Sequence, residues 1–275
     1  MRARQAGGEG GNSALSVTPP TAHLTAARCA FDAIVSDLPI ADGYKLSVAE
    51  SARRSLPRVS DTVDLTYGDV PFDALANVLA AAAPRHGGTF VDLGSGMARG
   101  VLAAALLCGN ARCLGIELLA DLHAAALGLL RSFEELHMRV LAGEAAPGLD
   151  AAHMASCFEL QNDDIFLVDL SALSVDVVFC CCVTWSDGIL QRLATKLAEE
   201  LPDGARVITV ARRLPALVDL GEKRGAVRFD EVHVAVEELA WGREAFIVHR
   251  VVRVGELVAR RHRKLAQKSK AGGAR

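Results

Sequence analysis

The spacing of apolar and polar residues changes along the chain and predicts the order of helices and strands. Short continuous apolar runs, typical of buried strands, alternate with longer segments in which apolar residues recur every three or four positions, as in amphipathic helices. The runs predict strands at 89–93, 112–118, 165–168, 176–182, 205–211, 232–236 and 245–254. This alternation indicates an α/β fold with a seven-stranded, mostly parallel sheet, helices on both faces and a terminal β-hairpin.

Composition divides the chain into four regions. Residues 1–22 are rich in Gly, Ala, Ser, Thr and Pro, which predicts a disordered lead. Residues 23–65 have helical periodicity and predict a small N-terminal helical subdomain, whereas residues 66–254 hold all of the predicted strands. Residues 255–275 form a basic C-terminal tail, in which every charged residue from 260 onward is Lys or Arg.

The net charge of the whole chain does not indicate a nucleic-acid partner. The formal charge is -3 and the isoelectric point is about 6.2. The tail at 260–275 is the exception, because its charge would give salt-dependent, sequence-independent contact with DNA. The alternative is a solvated chain end.

Cysteines and apolar runs bear on the compartment. The seven cysteines include three in a row at 180–182 and form no CxxC pair, which favours free thiols in a reducing environment over disulfides or a metal site. The longest apolar runs are far shorter than the roughly 20 residues that cross a bilayer. The first residues also lack the apolar segment of a secretion signal. We therefore expect neither a metal site nor membrane association.

A glycine loop at 92–96, with the sequence DLGSG, gives the strongest local signal. Gly94 permits a tight turn after the first predicted strand, and Gly96 lets the backbone approach a ligand closely. Glu117 ends the second predicted strand, where a carboxylate can accept hydrogen bonds from both hydroxyls of a ribose. The arrangement predicts a Rossmann-like site for an adenosine-containing ligand, although a glycine turn without a ligand is the alternative.

The acidic residue in the loop distinguishes between two such ligands. A dinucleotide would bring a pyrophosphate, whose charge Asp92 would repel. S-adenosylmethionine has no phosphate and carries positive charge on its sulfur and amino group, which Asp92 suits. The sequence therefore favours the methyl donor. Asp163 and Asp164 precede the predicted strand at 165–168, where a carboxylate can accept from an adenine amino group, or can belong to a solvated turn.

Several segments resemble the disruptor-of-telomeric-silencing family, the histone lysine methyltransferases that use the class I sheet instead of a SET domain. The TYGD loop directly before the DLGSG loop is the specific part of the match, and the resemblance covers about residues 60–253. The matching segments are TYGD at 66–69 with Phe-Asp at 72–73, FVDLGSG at 90–96, Gly-Ile-Glu at 115–117, VFCCC at 178–182, and the hairpin at 241–249.

The resemblance implies roles for residues at the donor site. The methionine end of S-adenosylmethionine would lie under the loop that carries Tyr67, Gly68 and Asp69. Its middle would be held by the glycine loop through Asp92, Gly94, Ser95 and Gly96. Glu117 would bind the ribose, and Asp164 with the backbone of Ile165 would bind the adenine.

The resemblance also implies a passage for the target lysine. Cys181 would lie where the family has an asparagine, and Phe246 would lie near an aromatic wall. Trp185 is a further candidate wall, although ordinary core packing explains either aromatic equally well. The pattern departs from the family in four places: Asp69 replaces glutamate, Arg99 replaces glutamine, Cys181 replaces asparagine, and Phe246 lacks a tyrosine hydroxyl.

By this resemblance the chain is expected to be a nuclear S-adenosylmethionine-dependent lysine N-methyltransferase. Its target would be a lysine in the globular core of a nucleosomal histone. One alternative is a methyltransferase of another protein lysine or a small molecule, acting in the cytoplasm. The other is a catalytically silent module that binds the donor, because a thiol at position 181 is a weaker hydrogen-bonding group than an amide.

Overall fold

The computed structural model describes residues 19–53, 65, 67–144, 147–222 and 224–255. The predicted basic tail at 260–275 and most of the predicted lead at 1–22 lie outside these ranges. The helices are α1 (Thr21–Val35), α2 (Ile40–Arg53), α3 (Phe72–Ala82), α4 (Arg99–Leu107), α5 (Ala120–Leu141) and α6 (Asp187–Glu200). The strands are β1 (Thr89–Leu93), β2 (Arg112–Glu117), β3 (Phe158–Asn162), β4 (Val175–Cys180), β5 (Arg206–Val210), β6 (Leu217–Asp219), β7 (Ala226–Leu239) and β8 (Gly242–Val254).

One sheet with the order β3-β2-β1-β4-β5-β8-β7-β6 contains all the strands of the described residues. The first five strands in this order pair in parallel, and β8 joins β5 in the antiparallel sense. The carboxyl ends of the parallel strands therefore meet at one edge of the sheet, and the loops that follow β1, β2 and β4 lie side by side. Ligands of open α/β sheets bind at this edge.

Alternate residues of each strand enter separate cores on the two faces of the sheet. Phe90 of β1 and Phe179 of β4 pack among side chains of α1, α3, α4 and α5. The neighbouring Val91 and Val178 belong to a second core with α6. Both cores hold buried apolar residues, so the near-continuous apolar character of β1 and β4 is that of strands covered on both faces.

The predicted α/β architecture with a terminal hairpin is confirmed, with differences in detail. An eighth strand, β6, adds a short edge to the predicted seven, and β7 begins at residue 226 rather than 232. Helix α1 begins at Thr21, within the predicted lead. It places Phe31 in the same core as α3 and α4, with its ring centroid 5.1 Å from that of Phe72.

The predicted strand at 165–168 was wrong. The third strand of the sheet is Phe158–Asn162, which pairs in parallel with β2. Asp164 instead closes a turn, because its Oδ1 accepts from the Phe166 amide at 2.9 Å and its carbonyl accepts from the Leu167 amide at 2.8 Å. Asx turns of this kind compete with strand pairing, and an apolar run alone does not reveal them.

None of the helices in the described ranges combines the length and apolar character that a bilayer crossing requires. A buried carboxylate of α2 fixes the start of α5. Ala120 and Asp121, at the start of α5, donate their amides to the Glu50 side chain of α2 at 3.0 and 2.8 Å. This contact ties α2 to the first turn of α5, directly after β2.

The buried His249 predicts that part of the chain's stability depends on pH. Its Nε2 lies 3.2 Å from the Thr209 hydroxyl, which itself donates to the Arg212 carbonyl, so the neutral ring donates through Nε2. Burial lowers the pKa of His249 to about 4, against 6.5 for an exposed histidine. The unfolded chain then binds a proton at higher pH than the folded chain, and stability falls as pH drops from about 6.5 toward about 4.

His249→Gln keeps a donor for Thr209 but does not titrate. We expect urea unfolding of this variant to lose less stability on acidification than the natural chain, by an amount on the order of 2 kcal/mol. Comparing the two chains at each pH removes the contributions of all other groups. Equal acid dependence of the two would show that His249 is not the group responsible.

Candidate functional site

A cavity of about 960 Å³ opens at the carboxyl edge of the parallel strands. Residues from the loops after β1, β2 and β4 form its floor, and α2 and the β7–β8 turn form its rim. The predicted site residues that line it are Tyr67, Gly68, Asp69, Gly94, Gly96, Glu117, Asp164, Ile165, Cys181 and Trp185. The topology therefore brings segments more than 100 residues apart in sequence to one cavity.

The glycine loop is held by hydrogen bonds from both sides of the β1–α4 connection. Gly94 and Ser95 donate their amides to the Ile116 carbonyl at 2.9 and 3.0 Å. The Glu117 carboxylate accepts from the Gly96 amide at 2.7 Å and from the Leu119 amide at 2.8 Å. Glu117 thus links the loop after β1 to the loop after β2 while it lines the cavity.

Two glycines enclose the Tyr67 ring. A Cβ atom at Gly96, where φ is +55°, would lie 2.5 Å from Tyr67 Cε2. A Cβ atom at Gly43 of α2 would lie 2.6 Å from Tyr67 Cε1. Only glycine allows such approaches, so the ring lies in a slot between the glycine loop and α2. The Tyr67 amide donates to the Ser47 hydroxyl of α2 at 3.3 Å.

Asp69 forms a buried ion pair with Arg99. Asp69 Oδ2 lies 2.8 Å from Arg99 Nε, and the side chains are 9% and 10% exposed. The N–H of Nε does not point along this line, so the contact is an ion pair without an aligned hydrogen bond. Burial raises the pKa of Asp69 to about 6, although Arg99 and the Val70 amide oppose the rise.

Further buried carboxylates make the cavity electronegative. Burial raises the pKa of Asp92 well above its usual range, and the neighbouring Glu117 and Asp69 raise it further. Burial also raises the pKa of Glu117, against the hydrogen bonds from Leu119 and Gly96. Asp92 lies behind the loop and does not line the cavity, and its Oδ2 would be 2.6 Å from a Cβ atom at Gly100. A bound cation would relieve the repulsion among these carboxylates.

The loop after β3 forms one end of the cavity. Asp164, Ile165 and Phe166 line it, and the Arg192 guanidinium of α6 lies 3.8 Å from the centroid of the Phe166 ring. This end has a carboxylate beside apolar and aromatic surface, a combination that suits a planar base with an exocyclic amino group.

A thiol and two indoles also line the cavity. Cys181 follows β4 and faces the cavity, whereas Cys180 and Cys182 are fully buried on the other side. Burial raises the pKa of Cys181, with further contributions from Cys182 and Asp92, so the thiol is protonated at neutral pH. Trp185 and Trp241 are the only tryptophans of the chain, and both line the cavity.

Besides Asp92, two predicted site residues lie outside the cavity lining. Phe246 is fully buried in the core and does not line the cavity, because β8 directs it toward the face covered by α3 and α4. It is not a wall of the passage. Ser95 also lies outside the lining, and its buried hydroxyl has no hydrogen-bond partner among the residues that the structure describes.

Trp241 and α2 supply lining residues that were not among the predicted site residues. Trp241, in the β7–β8 turn, packs over Gly68, where a Cβ atom would lie 3.1 Å from its ring. Ile40 and Tyr44 of α2 lie one helical turn apart at the rim, and Tyr44 is 52% exposed. Two signals could have identified these lining residues: the exposed aromatic at the hairpin turn and the apolar pair at positions i and i+4.

The family model of the histone methylation protein DOT1 matches residues 44–239. The chain belongs to the DOT1 family. The match contains the Tyr67 loop, the glycine loop, Glu117 and Cys181, so it covers most of the cavity. As a DOT1 protein, the chain is a class I methyltransferase that uses S-adenosylmethionine.

Parts of this DOT1 protein are similar to solved methyltransferase structures. An RNA methyltransferase from Salinibacter ruber with S-adenosyl-L-homocysteine is 21% identical, with 68% of this chain and 97% of that chain covered and a TM-score of 0.45. TrmN from Thermus thermophilus is 15% identical, with 67% and 49% covered and a TM-score of 0.43. These likenesses carry no information on the methyl acceptor. No curated protein sequence matches the chain.

The cavity suits S-adenosylmethionine in charge and in shape. Asp69 and Glu117 line it and Asp92 lies behind it, and of the basic lining residues Lys45 pairs with Asp42 and Arg192 lies over the Phe166 ring. In the same part of the chain, no group of three His, Cys, Asp or Glu side chains is arranged to hold a metal ion. These carboxylates, whose pKa values are raised, would attract a sulfonium and an ammonium group. They would repel the phosphates of a dinucleotide.

Proposed function

We propose that this protein is a nuclear histone lysine N-methyltransferase that acts on a lysine of the nucleosome core. Its membership in the histone-methylating DOT1 family over residues 44–239 carries the proposal. The cavity supports it, because the buried carboxylates of Asp69 and Glu117 line it together with a thiol and two indoles. Nucleosomes or histones would be the partners, and contact of the tail at 260–275 with DNA remains a prediction.

For the donor, we assign the predicted residues according to their place in the cavity. Glu117 would hold the ribose, and Asp164 with the Ile165 backbone would hold the adenine. Tyr67, Gly68 and Asp69 would cover the methionine end, next to Gly94 and Gly96. Asp92 lies behind the loop, where the cationic donor would favour its ionised form. When bound, S-adenosylmethionine supplies an electrophilic methyl group on a positively charged sulfur.

For the acceptor, we assign the end of the cavity between Cys181, Trp185 and Trp241. A lysine amine must lose a proton before it can attack, and its ordinary pKa is about 10.4. Apolar and aromatic walls disfavour the ammonium form by desolvation, so they would deliver a neutral amine. The walls would also align the amine with the methyl group, which accounts for much of the rate enhancement in such displacements.

A transfer assay with labelled S-adenosylmethionine tests the proposal. We expect label on a histone lysine when whole nucleosomes are the substrate, and little or none with free histones. Mass spectrometry of the labelled histone identifies the lysine. Label on neither substrate, from protein that binds the donor, would contradict the proposal, and label on another lysate protein or a small molecule would identify the alternative substrate class.

Cys181 motivates a second candidate function, a silent module that binds the donor. A protonated thiol lines the cavity where the family has an asparagine amide. Cys181→Asn provides the comparison, since it should leave donor affinity nearly unchanged. Activity that is present only in Cys181→Asn would favour the silent module, whereas activity of the natural chain would exclude it.

A further inference from the structure

We infer that Arg99 is a positioning residue for methyl-donor binding, because it fixes the Asp69 carboxylate and couples the loop that carries Tyr67 to the N-terminal helices. This inference deepens the donor site and rests on S-adenosylmethionine binding, not on the identity of the acceptor. Arg99 stands where the family has glutamine, so the arrangement belongs to this chain rather than to the family pattern.

The contacts of Arg99 join three parts of the molecule. Its Nε lies 2.8 Å from Asp69 Oδ2, in the loop that lines the cavity. Its Nη1 donates to the Leu38 carbonyl at 2.9 Å, in the connection between α1 and α2. Its guanidinium lies 5.7 Å from the centroid of the Phe31 ring of α1. One side chain at the start of α4 therefore holds the loop against α1 and the α1–α2 connection.

The other charged groups around Asp69 make this ion pair necessary. Asp92 behind the glycine loop and Asp69 repel each other, and the same two carboxylates raise the pKa of Tyr67 and Cys181. Arg99 is the cation that opposes the burial of Asp69. Without it, a buried carboxylate would take up a proton near neutral pH, and the loop would lose both a fixed geometry and a negative charge for the donor.

Arg99→Gln gives the residue of the family pattern, and Arg28→Gln gives a matched control. Arg28 lies 5.6 Å from the centroid of the Phe72 ring, beside the same aromatic pair, and binds Asp73 at 2.5 Å. Neither arginine lines the cavity, but Asp69 does and Asp73 does not. Each substitution removes one guanidinium from an aromatic face and from an aspartate. Only Arg99→Gln removes the ion-pair partner of Asp69.

The measurement is the Kd of S-adenosyl-L-homocysteine from tryptophan fluorescence between pH 5 and pH 8, because both tryptophans line the cavity. In the natural chain we expect affinity to fall as pH drops through about 6, where Asp69 takes up a proton. In Arg99→Gln we expect the affinity at pH 7.5 to weaken on the order of tenfold. We also expect the loss of affinity on acidification to begin at higher pH than in the natural chain. Arg28→Gln should match the natural chain in both respects.

Two further variants keep the inference testable if Arg99→Gln is poorly folded. Arg99→Lys retains the charge and should shift the pH profile less than Arg99→Gln, with a circular dichroism melt to verify folding. In an Asp69→Asn background, Arg99→Gln should no longer move the pH profile. An Arg99 variant that melts like Arg28→Gln and binds with the natural affinity and pH profile would overturn the inference.

Discussion

Gly96→Ala is expected to abolish methyl-donor binding in a chain that still folds. The added Cβ would lie 2.5 Å from Tyr67 Cε2, well inside van der Waals contact. The ring has no room to retreat, because the α2 backbone at Gly43 closes the other side of its slot. The Tyr67 loop must therefore leave its place over the cavity, and we expect the Kd for S-adenosyl-L-homocysteine to rise by more than about 100-fold.

Gly87→Ala is the matched control for Gly96→Ala. Its φ is +74°, close to the +55° of Gly96, but a Cβ at Gly87 would meet nothing within 4 Å. Both variants bear the cost of a left-handed alanine, roughly 1–2 kcal/mol, and Gly96→Ala should melt lower still because it also displaces the Tyr67 loop. Calorimetry should find donor binding in Gly87→Ala alone. Equal affinities in the two variants would disprove the steric argument.

Glu117→Gln is expected to have the second largest effect, because one carboxylate serves both the scaffold and the ligand. Its two oxygens accept from the Gly96 and Leu119 amides at 2.7 and 2.8 Å. Glutamine would turn an NH₂ group toward one of these amides and leave a buried N–H without an acceptor, which costs about 1–3 kcal/mol. The donor would also lose a ribose acceptor, so we expect a Kd increase of about 100-fold.

Glu50→Gln separates the two effects of Glu117. Glu50 is a buried glutamate that accepts from two consecutive amides, those of Ala120 and Asp121, and it does not line the cavity. We expect Glu50→Gln to lose comparable stability in urea unfolding but to retain donor affinity within a few-fold. If the two variants weakened donor binding equally, the effect of Glu117→Gln would come from stability rather than from contact with the ribose.

Local patterns predicted the strands that lie in the middle of the sheet. β1 and β4 are covered on both faces, so their sequences are nearly continuously apolar and stand out from their surroundings. β3 escaped this reasoning, because its residues are only partly buried and alternate in character. The apolar run at 165–168 led to the prediction of a strand where the chain forms a turn. That turn depends on one hydrogen-bonding side chain, that of Asp164.

By itself the sequence determined the α/β order of elements, the glycine loop with its acidic neighbours, and the resemblance to the DOT1 family. Each of these depends on short-range spacing, which residues close in sequence carry. Only the tertiary structure decided that Phe246 lies in the core, that Trp241 covers Gly68, and that Arg99 pairs with Asp69. Such contacts join segments whose approach is set by packing of the whole sheet and its helices, and no local pattern encodes them.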